Sequence, residues 1–234
     1  MEFLTRTLYA LPMAASALVL ASTASGFAVL TATVVFASAY EVWCLNKKRL
    51  KSFSYIENNN DDKMSCLLVL SAICLYSTLF VWSVFFLRSL NLIFFLFFVV
   101  WSTDVSALLV GKFSSTIKVF QGGTRILRFI SEHKTISGCI GGIFGGTIVG
   151  VFYLQYLFVK LSLLNAICLS MITSSAAVLG DLIESAYKRI CQAKDSDVFI
   201  KIPGHGGVLD RVDSILFSAP VCALVCHYKK YKWT

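Results

Sequence analysis

Apolar residues come in long unbroken runs along this chain, separated by short polar segments in which the cations gather. The first run, Leu8 to Leu45, is too long for one membrane-crossing helix at about 1.5 Å per residue and suits two short ones, with Ser25-Gly26 as the turn between them. Arg6 and the Ala-rich stretch after it also fit a secretory leader, but a second apolar run follows at once and favours a retained helical hairpin. Asn46 to Lys63 is polar and reads as a solvated loop. Further spans are expected at Cys66–Leu87, Leu90–Gly111, Ile136–Val159 and Leu161–Leu182, and a shorter one at Val212–His227. Between them, Lys112–Lys134 is basic, with Gly122-Gly123 as a breaker. Glycines 138, 141, 142, 145, 146 and 150 give the fourth of these regions the small-residue spacing that lets helices approach closely in lipid. The pattern therefore predicts an all-α integral membrane protein, a bundle of about seven transmembrane helices.

Composition sharpens that picture. Of the 234 residues 57% are hydrophobic and 15% charged, and the mean hydropathy is +0.74; a soluble domain carries roughly 25% charged residues. The net charge is +8. Its cations sit in short segments between apolar runs, which suits an anionic membrane surface and argues against nucleic acid as a partner. The segments 46–64, 112–134 and 188–211 are the most basic, and they fall on one side of the membrane, which the positive-inside rule makes the cytoplasmic side. The lysines at 229, 230 and 232 then land opposite, unless the last helix does not cross fully or the count is off by one. Eight scattered cysteines form no Cys-x-x-Cys pair and read as small buried hydrophobes.

The stretch 180–214 stands apart, because carboxylates, cations and glycines crowd into it. Charge in or beside a bilayer is costly and marks a place where something polar is handled. Taken as a helix, residues 180–191 put Asp181, Glu184, Ser185 and Lys188 on one face: two oxygen ligands, a hydroxyl and a cation. A solvated helix end with local ion pairs would read the same way in isolation. Lys194-Asp195 follows in a loop. Pro203-Gly204-His205-Gly206-Gly207 lets the backbone approach a ligand and can form an anion-binding nest. Asp210-Arg211-x-Asp213 then opens the last helix. Carboxylates from two helix ends can jointly hold a hard cation such as Mg²⁺, and Lys188, Arg189, Lys194 and Arg211 can neutralise phosphate charge.

Ser185-x-x-Lys188-Arg189, Lys194-Asp195 and Pro203-Gly204-His205-Gly206-Gly207-x-x-Asp210-Arg211-x-Asp213 together resemble the motif of the CDP-diacylglycerol synthase (phosphatidate cytidylyltransferase) family, with Gly180-Asp181-x-x-Glu184 in the same block. Upstream, Asp104 before Gly111-Lys112 is similar to another family segment. Ser131, Lys134, Thr135, Gly138 and Gly141-Gly142 look like a third, from which Glu132, His133, Ile136 and Ser137 depart. Tyr40-Glu41 resembles a helix-end Glu of the family.

The resemblance implies a nucleotidyltransferase of phospholipid biosynthesis: CTP and phosphatidic acid give CDP-diacylglycerol and pyrophosphate. It implies Mg²⁺ held by Asp181, Asp210, Asp213 and Glu184, and leaves open a second cation such as K⁺. Lys188, Arg189, Lys194, Asp195 and Arg211 take catalytic roles, and Lys134, Ser185, Gly204, His205, Gly206 and Gly207 bind the nucleotide. Residues 1–64 form the helical hairpin with its cytoplasmic loop, and 65–234 the transmembrane catalytic domain, with the active site on the cytoplasmic side. A short chain without a long soluble extension fits a multi-pass protein of a bacterial inner membrane, and a homodimer is left open. Two other readings compete: a CTP-dependent polyprenol or phytol kinase, which would release CDP, and a cation transporter using Asp104, Asp181 and Glu184.

Overall fold

The computed structural model describes residues 15–53, 59–117, 134–158, 161–191 and 207–229, and these are helical throughout apart from short turns. After helical residues 15–22 come α1 (Ala24–Phe53), α2 (Asn59–Ser89), α3 (Ile93–Ile117), α4 (Ile136–Phe152), a π-helical segment (Tyr153–Phe158), α5 (Leu163–Ile190) and α6 (Leu209–Lys229). Among the described residues there is no strand.

Among the described residues five helices, α1 to α5, are long and apolar enough to cross a membrane. Large apolar side chains face outward on them, Leu75 at 74% exposure and Ile148 at 68% among them, as a lipid-facing surface requires. The chain is a multi-pass membrane protein. The last helix, α6, is not among the five: it carries Asp210, Arg211 and Asp213 in its first turns and Pro220 within it.

Three boundaries differ from the sequence pattern. The N-terminal break falls at Thr23 rather than Ser25-Gly26, because Thr23 caps α1, its Oγ1 accepting the Gly26 N–H at 3.1 Å. The polar segment 46–63 is largely helical: α1 runs on to Phe53 and α2 begins at Asn59. Lys, Arg and Leu, which fill residues 47–51, are good helix formers, so polarity alone did not mark a loop there. Helix α5 continues past Leu182 to Ile190, carrying an apolar span straight into the charged block.

The chain divides into two compact units, Met1–Trp82 with Tyr187–Val212, and Ser83–Ala186 with Asp213–Thr234. In the second unit α3 and α4 run antiparallel along a glycine stripe. Gly138, Gly142, Gly146 and Gly150 are buried, and a Cβ built on Gly138 or Gly142 would stand 2.9 Å from the backbone oxygen of Ala107 or Thr103. Backbone-to-backbone packing of this kind is how helices associate where lipid removes the hydrophobic drive. Ser170 and Ser174 of α5 fill the other side of Gly150 and Gly146. A left-handed residue, Asn91 (φ 57°), ends α2. The Leu92 N–H reaches back to the Leu87 carbonyl at 2.8 Å, closing the helix in the manner of a Schellman turn.

Candidate active site

Within the second unit, Thr135 caps α4: its backbone is extended (φ −114°, ψ 148°) and its side chain accepts the Gly138 N–H at 3.0 Å. The cap fixes the entry of the preceding residue, Lys134. The Lys134 Nζ meets α5 at three points, the Asp181 Oδ1 at 2.5 Å, the Asp181 carbonyl at 2.9 Å and the Ser185 Oγ at 2.8 Å.

Gly180 brings α6 to the same place. A Cβ there would lie 3.0 Å from the Asp213 carbonyl and 2.7 Å from the Phe217 Cβ, so only glycine lets the α6 backbone lie this close to α5. Asp213 thereby joins Asp181 and Glu184, and one carboxylate oxygen from each lies within 4.8 Å of the others. Glu184 is buried and Asp213 is only 9% exposed. Asp213 lies outside the five apolar helices, and its carboxyl is pushed well above the usual carboxylate range. Burial is the main cause, and the Asp181 and Glu184 charges add to it. The Ser214 N–H, donating to Asp213 Oδ1 at 2.7 Å, works the other way. Asp104 adds a fourth acid to this neighbourhood, its Oδ1 3.5 Å from the Ser214 hydroxyl.

Lys134 sets one ammonium against these carboxylates, and the acids crowded around Asp213 favour a cation between them. All the donors are hard oxygens, as Mg²⁺ prefers. The residues present fit such an ion.

In the first unit, Lys188 donates to Asp210 Oδ1 at 2.6 Å, and both side chains are largely buried. The other Asp210 oxygen accepts the Gly207 N–H at 3.0 Å. The flanking amides of Val208 and Leu209 donate to Glu41, at 3.0 and 2.8 Å.

The cytidylyltransferase family model matches residues 2–229. The chain belongs to the cytidylyltransferase family. A protein of Staphylococcus aureus named phosphatidate cytidylyltransferase is 37% identical over 134 residues, which is 57% of this chain and 48% of that protein. One of the same name from Staphylococcus haemolyticus is 37% identical over 132 residues, 56% of this chain and 47% of that protein. Another, from a Synechocystis species, is 38% identical over 125 residues, 52% of this chain and 38% of that protein. The chain spans about half the length, or less, of the curated relatives it matches.

The structure of this cytidylyltransferase-family chain places the residues singled out from its sequence in separate groups. Asp181, Glu184 and Asp213 come together; Lys134 and Ser185 join them through Asp181. Asp210 accepts from Lys188. Arg189 and Arg211 are exposed, at the end of α5 and the start of α6. Gly207 is buried beside the α6 cap. Lys194, Asp195, Gly204, His205 and Gly206 lie outside the described residues, as do Ser131, Glu132 and His133. Two contributors carried no role in the sequence pattern. Thr135 could have been found as an N-cap before a small-residue helix. Glu41, resembling a helix-end residue, sits instead inside α1, and nothing local announces its contact 167 residues on.

Proposed function

We propose that the chain transfers the cytidylyl group of CTP to phosphatidic acid, releasing pyrophosphate and forming CDP-diacylglycerol. The observation that carries this reading is the convergence of Asp181, Glu184 and Asp213 beside Lys134, in a multi-pass member of a cytidylyltransferase family whose relatives bear the name phosphatidate cytidylyltransferase. A phosphatidate oxygen attacks the α-phosphorus of CTP. The bond from that phosphorus to the β-phosphate's bridging oxygen breaks, and its electron pair leaves with pyrophosphate.

The attacking phosphate is largely dianionic near neutral pH, so a general base is of little use. The barrier lies in bringing two anions together, which makes positioning and counter-charge the protein's task. Asp181, Glu184 and Asp213 would hold Mg²⁺, and that ion would supply counter-charge for the triphosphate and the pyrophosphate. Lys134, anchored on Asp181 and Ser185, holds a cation next to those carboxylates. Asp210 remains a ligand candidate by resemblance. Lys188, Arg189, Lys194 and Arg211 remain the candidate contacts to phosphate, with Asp195 beside them, and Gly204 to Gly207 with His205 the candidate nucleotide-binding turn.

The chain works in a bacterial inner membrane with its basic segments in the cytoplasm, where CTP is available. Two apolar helices separate segment 46–64 from 112–134, and two more separate that from 188–211, so all three share a side.

The test is labelled CTP with phosphatidic acid vesicles, with and without Mg²⁺, using the purified chain. Metal-dependent label in extracted lipid, with pyrophosphate released in equal amount, is the expected result. Release of CDP and phosphorylation of a lipid alcohol would replace this reading by a kinase. Cation flux into liposomes without any CTP turnover would replace it by a transporter.

A further inference from the structure

The start of α6 is an N-terminus without a capping side chain of its own. Asp210 accepts the Gly207 N–H three residues back, and the Arg211 N–H bonds the Val208 carbonyl at 3.0 Å. This is like the return bond of a capping box, set one residue early: α6 begins at Leu209, so Val208 is the cap and Asp210 the second helical residue. The forward half, a cap side chain accepting an amide of the first turn, is missing because neither Gly207 nor Val208 carries a side-chain acceptor. Glu41 supplies it from α1. Its two oxygens each take one amide, Oε1 that of Val208 at 3.0 Å and Oε2 that of Leu209 at 2.8 Å. The carboxylate is fully buried.

We propose that Glu41 is a positioning residue of the cytidylyl-transfer site, capping α6 from another helix and so fixing the Asp210 carboxylate against Lys188. The proposal rests on the function given above. Its physical basis is that Asp210 has both oxygens committed, one to the Gly207 amide and one to Lys188 at 2.6 Å. Any slack in the cap therefore moves the acid and its lysine together. A bidentate carboxylate on a helix N-terminus removes that slack, since charge-assisted bonds to orphan amides are short and the helix dipole favours the negative group. Glycine at 207 keeps the turn free of a side chain where the Gly-rich segment meets the helix, and Glu41 takes over the task a Ser or Asp at the cap would perform.

The experiment compares the full-length wild-type chain with Glu41→Gln, Asp210→Asn and the double variant, each in detergent with phosphatidic acid and CTP. An amide side chain offers one acceptor and turns its NH₂ toward the second donor. Glu41→Gln should lower kcat by about 10- to 100-fold, the range for groups that orient a site from outside it, with KM for CTP within about twofold. Added to Asp210→Asn, it should cost little more, because one variant acts through the other. Amide exchange at 207–211 should accelerate in Glu41→Gln while the middle of α5 stays protected. Unchanged kcat, losses that multiply in the double variant, or unchanged exchange at 207–211 would each overturn the proposal. If Glu41→Gln is not recovered folded, Glu41→Asp is read by the same criteria, since it keeps both acceptors but shortens their reach. A wild-type chain without transferase activity would sink the reaction assigned to it, while the exchange measurement would still decide whether Glu41 caps α6.

Discussion

Lys134 is the one cation tied directly to the acidic group among the contacts described, and it holds both the side chain and the carbonyl of Asp181. Removing a carboxylate from this set has a different effect from removing one elsewhere on the helix. Asp181→Asn and Asp213→Asn should each lower Mg²⁺-dependent transfer by more than about a hundredfold, beyond the range of changes outside the ligand set. The melting temperature in detergent should hold or rise, because an acid is removed from a crowded negative site. Either variant at wild-type rate, measured at saturating CTP, would dismiss that acid as a ligand. Asp181 and Glu184 were legible as partners in the sequence, since three residues on a helix place them on one face. Asp213 was named in the sequence alongside Asp210; that its carboxylate lies within 4.8 Å of those of Asp181 and Glu184 was not legible. Both stand in the first turn and a half of α6 and both meet α5, Asp210 at Lys188 and Asp213 near Asp181 and Glu184, and which residue each one meets depends on how the two helices pack. The link from Lys134 to Asp181 was equally hidden, with 47 residues between the two.

Among the elements, the pair α5 and α6 depends on one position. Gly180 stands where a side chain would strike the Asp213 carbonyl and the Phe217 side chain. Gly180→Ala should push α6 away by a fraction of an ångström and cost roughly tenfold or more in transfer rate, since misplacement of about 1 Å can cost a hundredfold. Because the displaced acid is a proposed ligand, raised Mg²⁺ should restore part of the loss. A Gly180→Ala chain with wild-type rate and wild-type Mg²⁺ dependence would contradict this. Helices α2 to α5 were legible from their apolar runs. Their ends were not: α1 continues through basic residues to Phe53, and α5 runs on to Ile190. Hydropathy reports where lipid can be, whereas the backbone stays helical as long as propensity and capping allow.

For the molecule as a whole, the orientation proposed above puts segments 46–64, 112–134 and 188–211 in the cytoplasm. Cysteine introduced at Lys47, in a background without the eight native cysteines, should react with a membrane-impermeant maleimide only after the cytoplasmic face is opened. Labelling in intact cells would reverse the orientation. The final run is the hardest to read as a crossing helix, because its length permits one while its charged first turns and internal Pro220 do not favour one. The cap on α6 has a last consequence, in time rather than space. Synthesis runs from the N- to the C-terminal side, so the carboxylate of Glu41 is made 167 residues before the first amide it serves. Until α6 has been made, that acid lacks the two amide donors it meets in the folded protein, and burying it without them would be costly. The cap can therefore close only late, when a new segment meets a much older one.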